Sequence, residues 1–345
     1  MSDPDEIVFA VEDGVALVTL NRPAALNALT LGMVRALHPR LLDWAQDDAV
    51  RSVVVQGAGD KAFCAGGDIR ALYDGRGTAF TADFFREEYR LNRTIFHYPK
   101  PYLALMDGIT MGGGVGLSVH ARHRVVTEAT VFAMPETGIG IFPDVGGSYF
   151  LPRMPGETGL YVALTGARLR AADCVYAGIA DAFVPRDRLP RIVDALRRGE
   201  GVESTIAESR EAPGESVLEA NRAAIDTCFA RGSVEEIESA LAAEGGDWAD
   251  KALLAMRSKS PISQKIAFRQ IREGARLDFD ACMRMEFRLS QRVMAGHDFF
   301  EGVRAVVIDK DQAPVWQPDR LNAVSDADLD EYFAPLGTEE LTFPA

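Results

Sequence analysis

The sequence predicts an α/β fold that passes into a mainly helical C-terminal region, and three observations carry that prediction. First, Val15–Leu20 (VALVTL) and residues 52–56 (SVVVQ) are short apolar, β-branched runs that stop at Asn21-Arg22-Pro23 and at Gly57, the pattern of buried strands. Second, residues 30–46 between them place Leu31, Val34, Leu37, Leu41, Leu42 and Trp44 at mostly helical spacing behind Thr30 as N-cap, and strands alternating with helices imply largely parallel pairing. Third, from residue 217 onward the apolar period is helical.

Taken in order, further strands are expected at 102–106, 124–127 and 131–133, each followed by turn or helix-start residues. Residues 198–216 are polar and rich in Gly, Ser and Glu, which reads as a linker. Beyond it, helices are expected near 217–230, 234–243, 248–257, 262–273 and 278–295, with a last apolar run at 303–308. The expected organisation is a core at residues 1–205 and a mainly helical region at 206–345.

The chain has 345 residues, enough for one large domain or two unequal ones. Its 37 basic and 51 acidic residues give a formal charge of −14, which repels phosphate backbones and anionic lipid, so neither nucleic acid nor a membrane surface is an expected partner. No apolar run approaches the roughly 20 residues that span a bilayer. The four cysteines form no CxxC pair, and His120 and His123 have no accompanying carboxylate frame, so neither a disulfide framework nor a metal site is expected. The first residues, MSDPDEIVFAVEDG, are acidic where an import leader is Arg-rich, so the chain is expected to be cytoplasmic, or already processed.

Four segments can carry chemistry. In FCAGGDI the small residues Ala65, Gly66 and Gly67 leave backbone N–H groups accessible, with Asp68 placed to cap a helix; a tight strand-to-helix turn explains the same residues. The preceding GAGDKA matches a dinucleotide fingerprint in letters only, because no helix follows it directly. In ITMGGGVGLSVH a glycine-rich helix start offers unsatisfied N–H donors to an anion, while the absence of Gly-Lys-Ser/Thr disfavours a phosphate loop and the missing final glycine disfavours a serine nucleophile elbow. In MPETGIGIFPDVGG, Glu136 and Asp144 have no cation between them; surface turn residues and functional acids both fit. In DFFREEYRLNRTIFHY, Glu88 shares the face of Phe84, Leu91 and Ile95, whereas Glu87 points away. A carboxylate on an apolar stripe is costly unless paired, protonated or used, although a hydrogen-bonded edge position is an equal reading.

Together LNRPAALNAL, FCAGGDI, GITMGGGVGL and FAMPETGIGIFPDVGG resemble, in content and order, the crotonase or enoyl-CoA hydratase/isomerase superfamily. The additional FFREEY, YFLPR, GHDFFEGVRA and IDKD segments are similar to its hydrolase branch, and extend the resemblance over nearly the whole chain. The resemblance implies a crotonase-like spiral of ββα units, with the C-terminal helices completing an acyl-CoA site. It implies an oxyanion hole formed by the N–H groups of Ala65 and Gly113, with Glu136 and Asp144 as catalytic acids. The resemblance implies that Glu88, Gly113, Glu136, Asp144, Gly66, Gly67 and Asp68 bind substrate. CoA is then part of the substrate, no separate cofactor is implied, and a trimer-type homo-oligomer is expected.

One departure separates the branches. Hydratases of this superfamily carry a first catalytic glutamate three residues beyond the middle glycine of the helix start, and this chain has Gly116 there. The expected reaction is therefore hydrolysis of a short 3-hydroxyacyl-CoA, with 3-hydroxyisobutyryl-CoA of valine breakdown as the expected substrate. An enoyl-CoA hydratase or isomerase is the alternative, and a non-catalytic acyl-CoA-binding protein is a second.

Overall fold

The structure is a computed structural model that describes residues 6–343; residues 1–5 of the acidic N-terminal stretch lie outside it. Among the described residues nine strands form two sheets. The larger sheet is ordered β1 (Ile7–Glu12), β2 (Val15–Leu20), β3 (Ser52–Gly57), β5 (Tyr102–Met106), β7 (His123–Val126) and β9 (Ala182–Phe183). The smaller is ordered β4 (Ala62–Cys64), β6 (Ile109–Met111) and β8 (Val131–Ala133). Only β1 and β2 pair antiparallel within the larger sheet; β2–β3, β3–β5, β5–β7 and β7–β9 are parallel. From β3 to β8 the strands alternate in sequence between the larger and the smaller sheet, which is the repeating unit of the expected spiral.

Five strand expectations correspond to strands in the structure, one of them shifted by a residue. The helix at Leu31–Gln46 forms behind Thr30, whose hydroxyl accepts the Met33 N–H at 3.1 Å; Leu42 alone of its expected stripe faces solvent. β1 was not expected. It pairs with β2 across Asp13-Gly14, both at positive φ, and Asp-Gly between apolar runs is a strong hairpin signal. β4, β6 and β9 have two or three residues each, too few for periodicity to register.

By its own contacts the chain forms two compact units, each drawn from three segments. Unit 1 comprises 1–68, 90–132 and 169–219 and contains nearly all of both sheets; unit 2 comprises 69–89, 133–168 and 220–345 and is helical. The units interleave along the chain and do not follow a single cut at residue 205. In unit 1, Val54, Leu103, Leu105 and Val125 on the sheet pack with Ile192, Val193, Leu196, Val202 and Ile206. The last two belong to the helix Val202–Ser209, so the expected linker is in part a packed helix whose polar residues form its outer face. In unit 2 the expected helices appear as Arg222–Phe229, Val234–Glu244, Gly246–Arg257, Pro261–Gly274 and Phe279–Ala295, with a short turn at Val217–Ala220. No helix of the described residues is long and apolar enough to cross a membrane.

Candidate active site

In unit 1 the two glycine-rich loops leave the carboxyl ends of neighbouring parallel strands, β4 and β6, paired at Ala62↔Ile109 and Cys64↔Thr110. A Cβ on Gly114 would lie 2.1 Å from the Cys64 carbonyl oxygen, so glycine is required for the helix start Gly113–Ser118 to approach that strand. The Val115 and Gly116 N–H groups donate to the Gly112 carbonyl at 2.8 and 3.2 Å. Those of Gly113 and Gly114, like any first-turn donors, have no partner within the helix.

The same geometry corrects one expected donor. The Ala65 N–H is already given to the Leu26 carbonyl at 3.0 Å, and an amide hydrogen donated inside the protein is not open to an oxyanion. Among the described residues the Gly66 and Gly67 N–H groups make no such bond. Their flanks are fixed: Leu29 N–H donates to the Gly66 carbonyl and Asp68 N–H to the Leu29 carbonyl, both at 2.8 Å. The Asp68 carboxylate is ion-paired with Arg22 at 3.2 Å.

Among the buried carboxylates of unit 2 are four that act on one another electrostatically. Glu88 sits in the helix Ala79–Phe96 beside Phe84, Leu91 and Ile95, all buried, as the expected stripe requires. Glu136 opens a 3-10 turn at Glu136–Ile139, and Asp144 follows eight residues later. Neither acid is a surface turn residue, since each is only 6% exposed. The fourth is Glu286, in the helix Phe279–Ala295, and is fully buried. The sequence reading missed it, although the signal was present: Glu286 falls on the stripe of Phe279, Cys282, Met283, Leu289 and Val293, just as Glu88 falls on its own.

The four acids have different partners. Asp144 accepts the Tyr89 hydroxyl at 2.8 Å. Glu286 accepts the Gly146 N–H at 2.8 Å, the Ser148 N–H at 2.9 Å and the Ser148 hydroxyl. By contrast, Glu136 Oε2 and Glu88 Oε1 are buried without a hydrogen-bond partner among the described residues. An unpaired buried polar atom costs roughly 1–3 kcal/mol, so such positions call for a ligand or a catalytic use.

Electrostatics divides them further. Burial, then the charges of Asp144 and Glu286, raise Glu88 well above the ordinary carboxylate range. Burial and Asp144 raise Glu136 likewise, opposed by its own backbone hydrogen bond and by Lys259. Burial raises Asp144 to about 6, with the Tyr89 hydrogen bond pulling it down, and Glu286 to about 8, with the Ser148 and Gly146 donors pulling it down. Asp144 at about 6 thus stands below Glu286 at about 8, and acids whose surroundings set their pKa values apart are suited to acid–base chemistry.

The turn carrying Glu136 is braced from below. Gly140 has φ +76°, and a Cβ there would lie 2.2 Å from the Asp298 carbonyl; one on Gly302 would lie 2.5 Å from the Ile139 carbonyl. The GHDFFEGVRA segment thus packs backbone to backbone against this turn. Its Asp298 carboxylate accepts the Ser260 hydroxyl at 2.6 Å, and Ser260 N–H donates to the Thr137 carbonyl at 3.1 Å. The adjacent Lys259 Nζ lies 3.2 Å from the Cβ position of Gly138, two residues beyond Glu136, and was not anticipated from sequence. Burial lowers its pKa while Glu136 raises it.

The sequence matches the enoyl-CoA hydratase/isomerase family over residues 15–333. It is 48% identical to the mitochondrial 3-hydroxyisobutyryl-CoA hydrolase of Danio rerio, over 97% of this chain and 91% of that one, and 45% identical to that of Homo sapiens, over 98% and 91%. Among solved structures it is similar to a carnitinyl-CoA dehydratase from Mycobacterium thermoresistibile, with TM-score 0.94, 42% identity and coverage of 98% and 99%. It is also similar to an enoyl-CoA hydratase from Rhodobacter sphaeroides, with TM-score 0.93, 41% identity and coverage of 98% and 100%. These relatives correct the expected cytoplasmic location, because those named hydrolases are mitochondrial.

Proposed function

The chain belongs to the enoyl-CoA hydratase/isomerase family, and from that premise we propose that it hydrolyses 3-hydroxyisobutyryl-CoA to the free acid and CoA. The observation that carries the choice of reaction is the buried, unpartnered Glu136 oxygen together with Gly116, which leaves the glycine-rich helix without an acid of its own.

The thioester oxygen accepts the Gly113 N–H and, in place of Ala65, the Gly67 N–H. Fixed donors are matched to the negative charge that develops as the carbonyl is attacked, and losing one costs about 3–4 kcal/mol. In one route Glu136 takes a proton from water as the hydroxide adds, and collapse of the tetrahedral intermediate breaks the C–S bond as Glu136 returns that proton to the departing sulfur. In the other Glu136 itself attacks, and C–S cleavage leaves a mixed anhydride and a thiolate; water then hydrolyses the anhydride, releasing the acid and restoring Glu136 while the thiolate takes up the proton. A base whose pKa stands above the ordinary carboxylate range is the stronger for it once ionised. Asp144, held by Tyr89, orients the substrate hydroxyl or the water, while Glu88, whose Oε1 has no partner among the described residues, binds the 3-hydroxyl. Water, thioester and carboxylates balance the reaction, so CoA enters as part of the substrate and no separate cofactor is called for. In this reading the helical region at 206–345 completes the acyl-CoA site, and the protein is a trimer-type homo-oligomer without nucleic-acid or membrane partners.

A second reading, hydration of an enoyl-CoA, draws on the names of the two solved structures. One pair of assays separates them. Incubation with 3-hydroxyisobutyryl-CoA is followed by free thiol, and incubation with crotonyl-CoA by loss of enoyl absorbance. Thiol release reduced at least about 10³-fold by Glu136→Gln is the expected result, within the usual range for acid–base groups. Enoyl loss without thiol release would replace hydrolysis by hydration, and neither signal would leave an acyl-CoA-binding protein.

A further inference from the structure

Glu286 has no part in the reaction above, yet it is fully buried and has more partners than any other acid of the cluster. Its three donors lie on one short stretch, the turn that begins at Asp144 and is closed by the Gly147 N–H on the Asp144 carbonyl at 2.8 Å. That turn is unfavourable by itself. Val145 has φ +49° and Gly146 φ +91°, and the left-handed region is a true outlier for a β-branched residue. Successive residues in such a conformation turn their N–H groups into one concavity suited to an anion, and the Glu286 carboxylate fills it.

We infer that Glu286 is a positioning residue: by occupying the N–H groups of this turn it holds Val145 in the left-handed conformation and so aims the Asp144 carboxylate. The inference rests on the role proposed for Asp144. The titratable groups facing Glu286 are Glu88 and Tyr89 from the helix Ala79–Phe96, Asp144 from the turn, and Cys282 from its own helix. None of them is a cation; burial pushes Glu286 up to about 8, and the geometry answers it, since each carboxylate oxygen accepts a backbone N–H and Oε1 the Ser148 hydroxyl as well, an arrangement that leaves neither oxygen free to carry a proton. A glutamine here would point an amide donor at backbone donors.

A double-mutant cycle tests this on the intact protein, with 3-hydroxyisobutyryl-CoA as substrate and kcat and KM measured separately. Asp144→Asn is expected to lower kcat at least about 10²-fold. Glu286→Gln is expected to lower kcat about 10- to 100-fold, the cost of a misplaced catalytic group, with a smaller change in KM. The double variant should be no slower than Asp144→Asn alone, because Glu286 then has nothing left to aim. Losses that multiply would overturn the inference, since a general structural defect acts in both backgrounds. Full activity of Asp144→Asn would instead overturn the reading of Asp144, and this inference with it. If Glu286→Gln does not fold, Ser148→Ala removes a single donor and should cost kcat a smaller factor. Val145→Gly, which accepts φ +49° without strain, should shrink that factor; a factor unchanged by Val145→Gly overturns the inference.

Discussion

Two glycine-bearing helix starts, one in each unit, treat the same chemistry in opposite ways. At Gly112–Gly114 in unit 1 the first-turn N–H groups are left open, and the backbone bends at a glycine of φ +45°. At Val145–Ser148 in unit 2 comparable N–H groups are filled by the protein's own carboxylate, and the bend falls partly on a valine. An anion receptor left vacant by the fold is a binding site for a developing charge; one filled from within is a brace. The motif alone does not distinguish the two, and the distinction depends on whether an acid arrives from elsewhere in the chain.

The most damaging way to break this contrast is to disturb the open start. Gly114→Ala puts a methyl 2.1 Å from the Cys64 carbonyl oxygen, a backbone atom that cannot swing aside, so the two donor loops must separate. The expected outcome is a loss of about 10²-fold or more in kcat for thiol release, because donors of this kind work only at fixed distance. A second variant sharpens the acid side. Lys259→Met removes the cation that favours ionised Glu136, so the acid limb of the pH profile for kcat/KM should move to higher pH, while Lys259→Arg should leave it near its original place.

The smallest effect concerns stability. Burial raises the folded-state pKa of Asp144 from 3.8 to about 6, so over that interval the folded protein binds more protons than the unfolded chain. This contribution is therefore complete below about pH 4 and declines as pH rises through 6. Asp144→Asn should raise the melting temperature at pH 8 by roughly a degree or more, since each kcal/mol is worth about 2–4 °C in proteins of roughly 150–250 residues and less in a longer chain, and should not raise it at pH 4. A melting gain of equal size at both pH values would show that the charge of Asp144 is not what the fold tolerates there.

What the sequence revealed follows the same division. Glu88 was legible because a helix has a fixed period, and an acid on an apolar stripe stands out; Glu286 obeys that rule and was passed over within a long helix read only for its existence. The glycine loops were legible as donors, but which donor was spoken for was not: the Leu26 carbonyl that takes the Ala65 N–H is 39 residues away in sequence. Lys259 was invisible for a similar reason, since its relation to Glu136 comes from backbone approaches at Gly138 and Gly166. The alternation of strands and helices gave the α/β class, whereas strands of two or three residues, and the interleaving of two units from six segments, depend on long-range pairing that no local pattern records.

The bond between Gly146 and Glu286 spans 140 residues. During synthesis at roughly 5–20 residues per second, the Asp144 turn therefore waits on the order of ten to thirty seconds for the acid that fills it. Until then a nascent chain carries the Asp144 turn without its brace. The enzyme is in this sense assembled last where it acts, and a ribosome stalled before residue 286 holds a chain whose sheets can be complete but whose acids are not yet set.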